Sequence, residues 1–115
     1  MTRIREEAIR KVTGQAKYTS DLHLPGMAYA KLLASPYAHA KIVSIDTKEA
    51  EALPGVVAIV TAADLKDLNM YVGDVVSHEP IIAADKVCYQ GEIVAAVAAV
   101  DLTTVEEAMD LIQVE

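Results

Sequence analysis

The clearest signal along this 115-residue chain is a set of short apolar runs separated by turn signals. Residues 93–100 are almost all Val, Ala and Ile, the pattern of a strand buried on both faces. Residues 56–60 form a second buried-type run, and residues 27–34 a third. Strand length and the Ser35-Pro36 that follows favour strand over helix for the third. Residues 41–45 are rich in β-branched side chains and predict a further strand. Ile81-Ile82-Ala83 predicts a short one, and Val114 the start of another.

Between these runs the spacing changes to that of helices. Val105, Ala108, Met109 and Ile112 fall on one helical face, with Thr104 and Glu107 spaced as a capping box. Asp46 and Glu49 have the same spacing ahead of Ala50, Ala52 and Leu53, and Pro54-Gly55 stops that short helix. Thr61 is positioned to cap a single turn over residues 62–65. Leu24-Pro25-Gly26 is a breaker, residues 35–40 read as a loop, and Gln90-Gly91-Glu92 as a turn. Residues 66–80 are polar, broken and loop-like. The order strand, cap, helix, strand occurs twice, which predicts an α/β or α+β domain with helices packed on a sheet.

Composition narrows the class. With five Tyr and no Trp or Phe, the core has to be aliphatic. The single cysteine, Cys88, excludes an internal disulfide and any multi-cysteine zinc or iron–sulfur site. No apolar run is long enough to span a membrane, and the start of the chain does not have the pattern of a secretory signal. A cytoplasmic setting is expected. Residues 1–17 carry five basic side chains against two acidic ones, a charge of +3. Residues 18–115 carry five against fifteen, a charge of −10. So acidic a body repels phosphate backbones, and nucleic-acid binding is not expected. Residues 1–10 are read as an N-terminal arm, basic enough to dock and short enough to be merely solvated.

No specific catalytic constellation emerges. His23, His39 and His78 do not have metal-ligand spacing. Cys88 reads as a small buried hydrophobe rather than a nucleophile. Glu92 follows a turn that would expose it, with no neighbour to act as an acid/base partner. Asp64, Asp67 and Asp74 read as solvated acids, and Tyr18, Tyr37, Tyr71 and Tyr89 as contact residues near turns. Catalytic, cofactor-binding and metal-binding residues are each assigned as none.

The succession of local motifs is more distinctive than any one of them. Lys11-Val12-Thr13-Gly14-Gln15-Ala16-Lys17-Tyr18 is followed by Leu24-Pro25-Gly26-Met27, then by Ser35-Pro36-Tyr37-Ala38-His39-Ala40 and Ser44-Ile45-Asp46. Next come Ala50-Glu51-Ala52-Leu53-Pro54-Gly55-Val56, Thr61-Ala62-Ala63-Asp64-Leu65 and Lys86-Val87-Cys88-Tyr89-Gln90-Gly91-Glu92. This series resembles the N-terminal α/β-hammerhead domain of the molybdenum-binding subunit in the xanthine dehydrogenase/aldehyde oxidase family. The resemblance implies an α+β fold over residues 11–115, with a mixed sheet and short packed helices, cut near its C-terminal end. It implies a structural and assembly domain of a molybdenum hydroxylase, inactive by itself. The parent enzyme would hydroxylate purines, N-heterocycles or aldehydes with oxygen from water. It would use molybdopterin (the cytosine dinucleotide form in bacteria), with iron–sulfur clusters and often FAD on partner domains or subunits. No residue of this chain matches the family's pterin-binding loops or catalytic glutamate. The expected partners are downstream molybdopterin-binding domains and the iron–sulfur and flavin subunits, with self-association of the chain through exposed apolar surface. A free-standing protein-binding module on the same fold is the alternative reading.

Overall fold

A computed structural model describes residues 6–68, 71–72 and 79–115. The expected strand over residues 93–100 is the centre of the fold. It forms β8 (Ile93–Ala99) between β1 (Tyr29–Ala34) and β4 (Val56–Thr61). Both pairings are antiparallel: Tyr29 and Val56 flank Ala99, Lys31 and Ile59 flank Val97, Leu33 and Thr61 flank Ala95. These three rows share one face, because side chains alternate along a strand.

Helix α3 (Leu102–Leu111) packs on that face with α2 (Lys48–Glu51) beside it. Val105 and Ala108 are fully buried from α3, as is Ala50 from α2, and they meet Ala95, Val97 and Ala99 of β8. Alanine at most of these positions lets helix and sheet approach closely. Lys31 and Glu106 form an ion pair at the sheet–helix boundary. It is partly exposed, which limits its contribution to about 1 kcal/mol or less.

The short elements complete the frame. Helix α1 (Glu6–Val12) and a 3-10 turn (Thr19–Asp21) precede the sheet, and the side chains of residues 7–26 are almost all exposed. At Leu24-Pro25-Gly26-Met27 the Met27 amide donates to Leu24 O at 3.1 Å, with Gly26 at φ +74°. β2 (Ala40–Lys41) pairs with β7 (Lys86–Val87), and β3 (Ile45–Asp46) with β9 (Gln113–Val114). β5 (Tyr71–Val72) pairs with β6 (Glu79–Pro80). A second cluster joins Val94 of β8 to Ala83 and Val87. Among the described residues no helix is long and apolar enough to cross a membrane.

The α+β class and the short packed helices agree with the sequence reading. The expected mixture of strand directions does not: every pairing among the described residues is antiparallel. The chain leaving α3 returns to β3 and not to the main sheet, so neither strand–helix–strand repeat closes as a parallel unit. The predicted strand over residues 41–45 is divided between β2 and β3, each paired with a different partner. Residues 81–83 form no strand, although the Ala83 amide donates to Ile93 O at 2.8 Å.

The caps also shift. Helix α3 starts before Thr104, and its N-cap is Asp101, whose Oδ1 accepts from the Thr104 amide at 2.8 Å. For α2 the N-cap position is Thr47, and Asp46 Oδ1 accepts from the Lys48 amide. Residues 62–67 make turns instead of a capped helical turn, and Asp64 Oδ2 accepts from both the amide and the hydroxyl of Thr61. In each case the acceptor of the local bond is a carboxylate, and hydrogen bonds to ionised groups are the stronger kind.

The Asp101 cap gives a pH prediction. Hydrogen bonds from the Thr104 amide and hydroxyl hold its carboxyl below the ordinary 3.8. A lowered folded-state pKa means stability present above the unfolded value and lost as pH falls through the folded one. Asp101→Ala is therefore expected to lower Tm at pH 7, with Asp101→Asn retaining most of the cap. Thermal melts from pH 7 to about pH 3 should show the Ala deficit shrinking once the pH passes below the ordinary carboxylate range. A deficit constant over the whole series would remove the carboxylate from the account.

Candidate functional site

The buried polar side chains among the described residues are Ser35 and Glu92, and they lie at one corner of the fold. The turn from Tyr89 to Glu92 is closed by the Glu92 amide on Tyr89 O and permitted by Gly91 at φ +95°. Two backbone bonds join it to the end of β1: Gly91 N donates to Ser35 O, and Ser35 N to Glu92 O, each at 2.9 Å. The Ser35 hydroxyl bonds both the amide and the carbonyl of Tyr37. Glu92 turns inward, 4 % exposed, and its Oε2 accepts from the Cys88 amide. The bonds of Ser35 Oγ and Glu92 Oε2 described here all go to backbone groups, as in a clasp.

Two residues here depart from expectation. Glu92 is buried where the turn pattern predicted exposure, because its carboxylate closes the turn by reaching back to residue 88. Cys88 is exposed where an apolar context predicted burial. Val87 occupies the core position, and strand alternation sends the next side chain outward. The remaining candidates do not converge. His23 and His39 are exposed and far apart in sequence, and His78 and Asp74 lie outside the described residues. Asp64 has its carboxyl lowered by the Thr61 amide and hydroxyl, and it is spent on a local turn. Asp67 is exposed beside it. Tyr18, Tyr37 and Tyr89 are exposed, as contact residues would be, while the Tyr71 side chain lies outside the described set. Among the described residues no group of three or more His, Cys, Asp or Glu could hold a metal ion.

What the fold does assemble is apolar surface. A cleft of about 360 Å³ opens between the end of β1 and the chain end, lined by Leu33, Ile42, Val94 and Ile112 with Lys41 and Glu115. A second apolar surface is the sheet face opposite the helices. Two rows cross it, Leu32–Ala96–Val60 and Ala30–Ala98–Ala58, and neither contains a polar side chain. Leu32 is 58 % exposed, Ala30 and Ala58 are exposed, and Val57 stands out at the adjoining bulge. An antiparallel sheet with one face open to water ordinarily alternates apolar and polar residues. Here Lys31 and Thr61 are on the helix side, and the open side is wholly aliphatic. Individual residues of this surface were not singled out in the sequence, but the signal was there in the uninterrupted apolar runs of β4 and β8.

The fold is thus an α+β domain, an antiparallel sheet with helices packed on one face and, among the described residues, an apolar and partly exposed second face. Residues 13–115 match the family described as "Aldehyde oxidase and xanthine dehydrogenase, a/b hammerhead domain", and the chain belongs to it. It is 46 % identical over 114 residues to a probable xanthine dehydrogenase subunit of Bacillus subtilis, covering 99 % of this chain and 15 % of that protein. It is 43 % identical over 118 residues to the carbon monoxide dehydrogenase large chain of Afipia carboxidovorans, covering 98 % of this chain and 14 % of that one. The crystal structure of a Cu,Mo-CO dehydrogenase in its carbon monoxide reduced state superimposes with a TM-score of 0.91 at 43 % identity, over 98 % of this chain and 14 % of that one. The chain thus spans about one-seventh of each of these two relatives.

Proposed function

We propose that this chain serves as a structural and assembly domain of a molybdenum hydroxylase and carries no catalytic group of its own. The observation that carries this reading is the hammerhead match over residues 13–115, within relatives about seven times longer. Residues 11–115 are the domain, and residues 1–10 an arm ahead of it. The parent assembly would oxidise purines, N-heterocycles or aldehydes, with molybdopterin as cofactor and electrons leaving through iron–sulfur and flavin partners. One cysteine cannot supply the four ligands of an iron–sulfur cluster, so that group is assigned to other polypeptide. Molybdopterin and flavin are placed in the parts of the parent assembly that this chain does not span. The lone cysteine, without a disulfide, is in keeping with a cytoplasmic assembly. Exposed apolar side chains favour weak self-association when the chain is isolated.

The purified 115-residue chain should contain no stoichiometric molybdenum by elemental mass spectrometry. It should also give no dye-coupled oxidation of aldehydes, purines or N-heterocycles. The native assembly should do both. Molybdenum at one equivalent, or turnover, in the chain alone would overturn the proposal.

A further inference from the structure

The geometry points to the helix-free sheet face as the surface that seats the rest of the subunit. This inference rests on the assembly role proposed above and adds the place of contact. The two rows Leu32–Ala96–Val60 and Ala30–Ala98–Ala58 form a shallow trough floored by alanine and edged by Leu32 and Val60. Alanine leaves the sheet backbone close to whatever lies on it. The rows contain no charge, so a charged side chain laid over them would lose water without gaining a partner. The occupant is therefore an uncharged, aliphatic surface.

Its size separates a tethered occupant from a second copy. At strand spacings of about 4.8 Å and rises of about 3.3 Å per residue, the two rows and their margins cover about 250 Å². Stable association between free proteins buries about 800 Å² on each partner. A face-to-face pair of copies falls well short of that. A surface in the same polypeptide does not need the full area, because its tether supplies a millimolar effective concentration. The matched relatives hold about six-sevenths of their length outside the region matched here, enough to supply such a surface.

The test places a thiol at Leu32 (Leu32→Cys) in a Cys88→Ser background, with Val43→Cys as an exposed control away from the main sheet. Maleimide labelling is read by mass spectrometry of the peptide carrying each position. It is carried out on the 115-residue chain at low micromolar concentration and on the native assembly. Both positions should label at similar rates in the chain alone, and position 32 should slow by about tenfold or more in the assembly, as a desolvated contact would. Unslowed labelling at position 32 in an assembly that protects position 43 would overturn the face while leaving the assembly role standing. An assembly that protects neither position, with the chain recovered free of any larger polypeptide, would overturn both. Protection at position 32 in the chain alone that grows with concentration would assign the face to a second copy and overturn the inference.

Discussion

Gly55→Ala is expected to destabilise the chain by about 2–4 kcal/mol, from backbone conformation and crowding together. Gly55 has φ +97°, a conformation that a Cβ penalises. That Cβ would also lie 3.0 Å from Val100 Cγ2 and 3.3 Å from Thr104 Cγ2. The backbone cannot rotate away freely, because Gly55 O accepts from the Val100 amide at 2.9 Å. This contact ties the entry of β4 to the exit of β8 and the first turn of α3, so relaxation would disturb the main sheet and its helix at once. Gly91→Ala separates the two causes. Gly91 has a similar φ of +95° with nothing within 4 Å of its added Cβ, so only the conformational cost, about 1–2 kcal/mol, remains. Urea unfolding of both variants measures the difference. Equal losses would show that the crowding at Val100 and Thr104 contributes nothing.

Glu92→Ala should cost about 2 kcal/mol, the range for leaving a buried donor without its partner. The substitution leaves the Cys88 amide without its acceptor and opens space at the corner where Ser35 and Gly91 join the ends of β1 and β8. Glu92→Gln keeps a carbonyl oxygen for the same amide and should lose clearly less. Guanidinium unfolding curves for the pair decide it. A Gln variant as unstable as the Ala variant would mean that the charge, and not the acceptor, holds the turn.

These two residues mark the boundary of what could be read in advance. Gly55 was legible as a helix stop after Pro54, since Pro-Gly after a helical pattern has a local physical cause. That its α-hydrogen faces Val100 and Thr104 was not legible, because those residues are far along the chain. Glu92 was correctly placed at a turn and wrongly placed in solvent. A turn residue's exposure depends on whether its side chain finds an amide to satisfy, and the Cys88 amide lies there only once the turn has closed. Cys88 failed in the complementary way. Its apolar neighbours suggested burial, but Val87 had already taken the inward position.

By itself the sequence determined the central strand, the two strands that flank it, the buried face of α3 and the hammerhead membership. All of these rest on local periodicity or on the order of local motifs. Only the tertiary structure decided that residues 41–45 divide between two partners, that the pairings are antiparallel, and which apolar face the helices cover. An apolar run states that its side chains avoid water. It does not state what will cover them, because that depends on segments brought together from distant parts of the chain. In this chain one face of the sheet is covered by α2 and α3, and on the other Leu32, Ala30 and Ala58 stay exposed among the described residues.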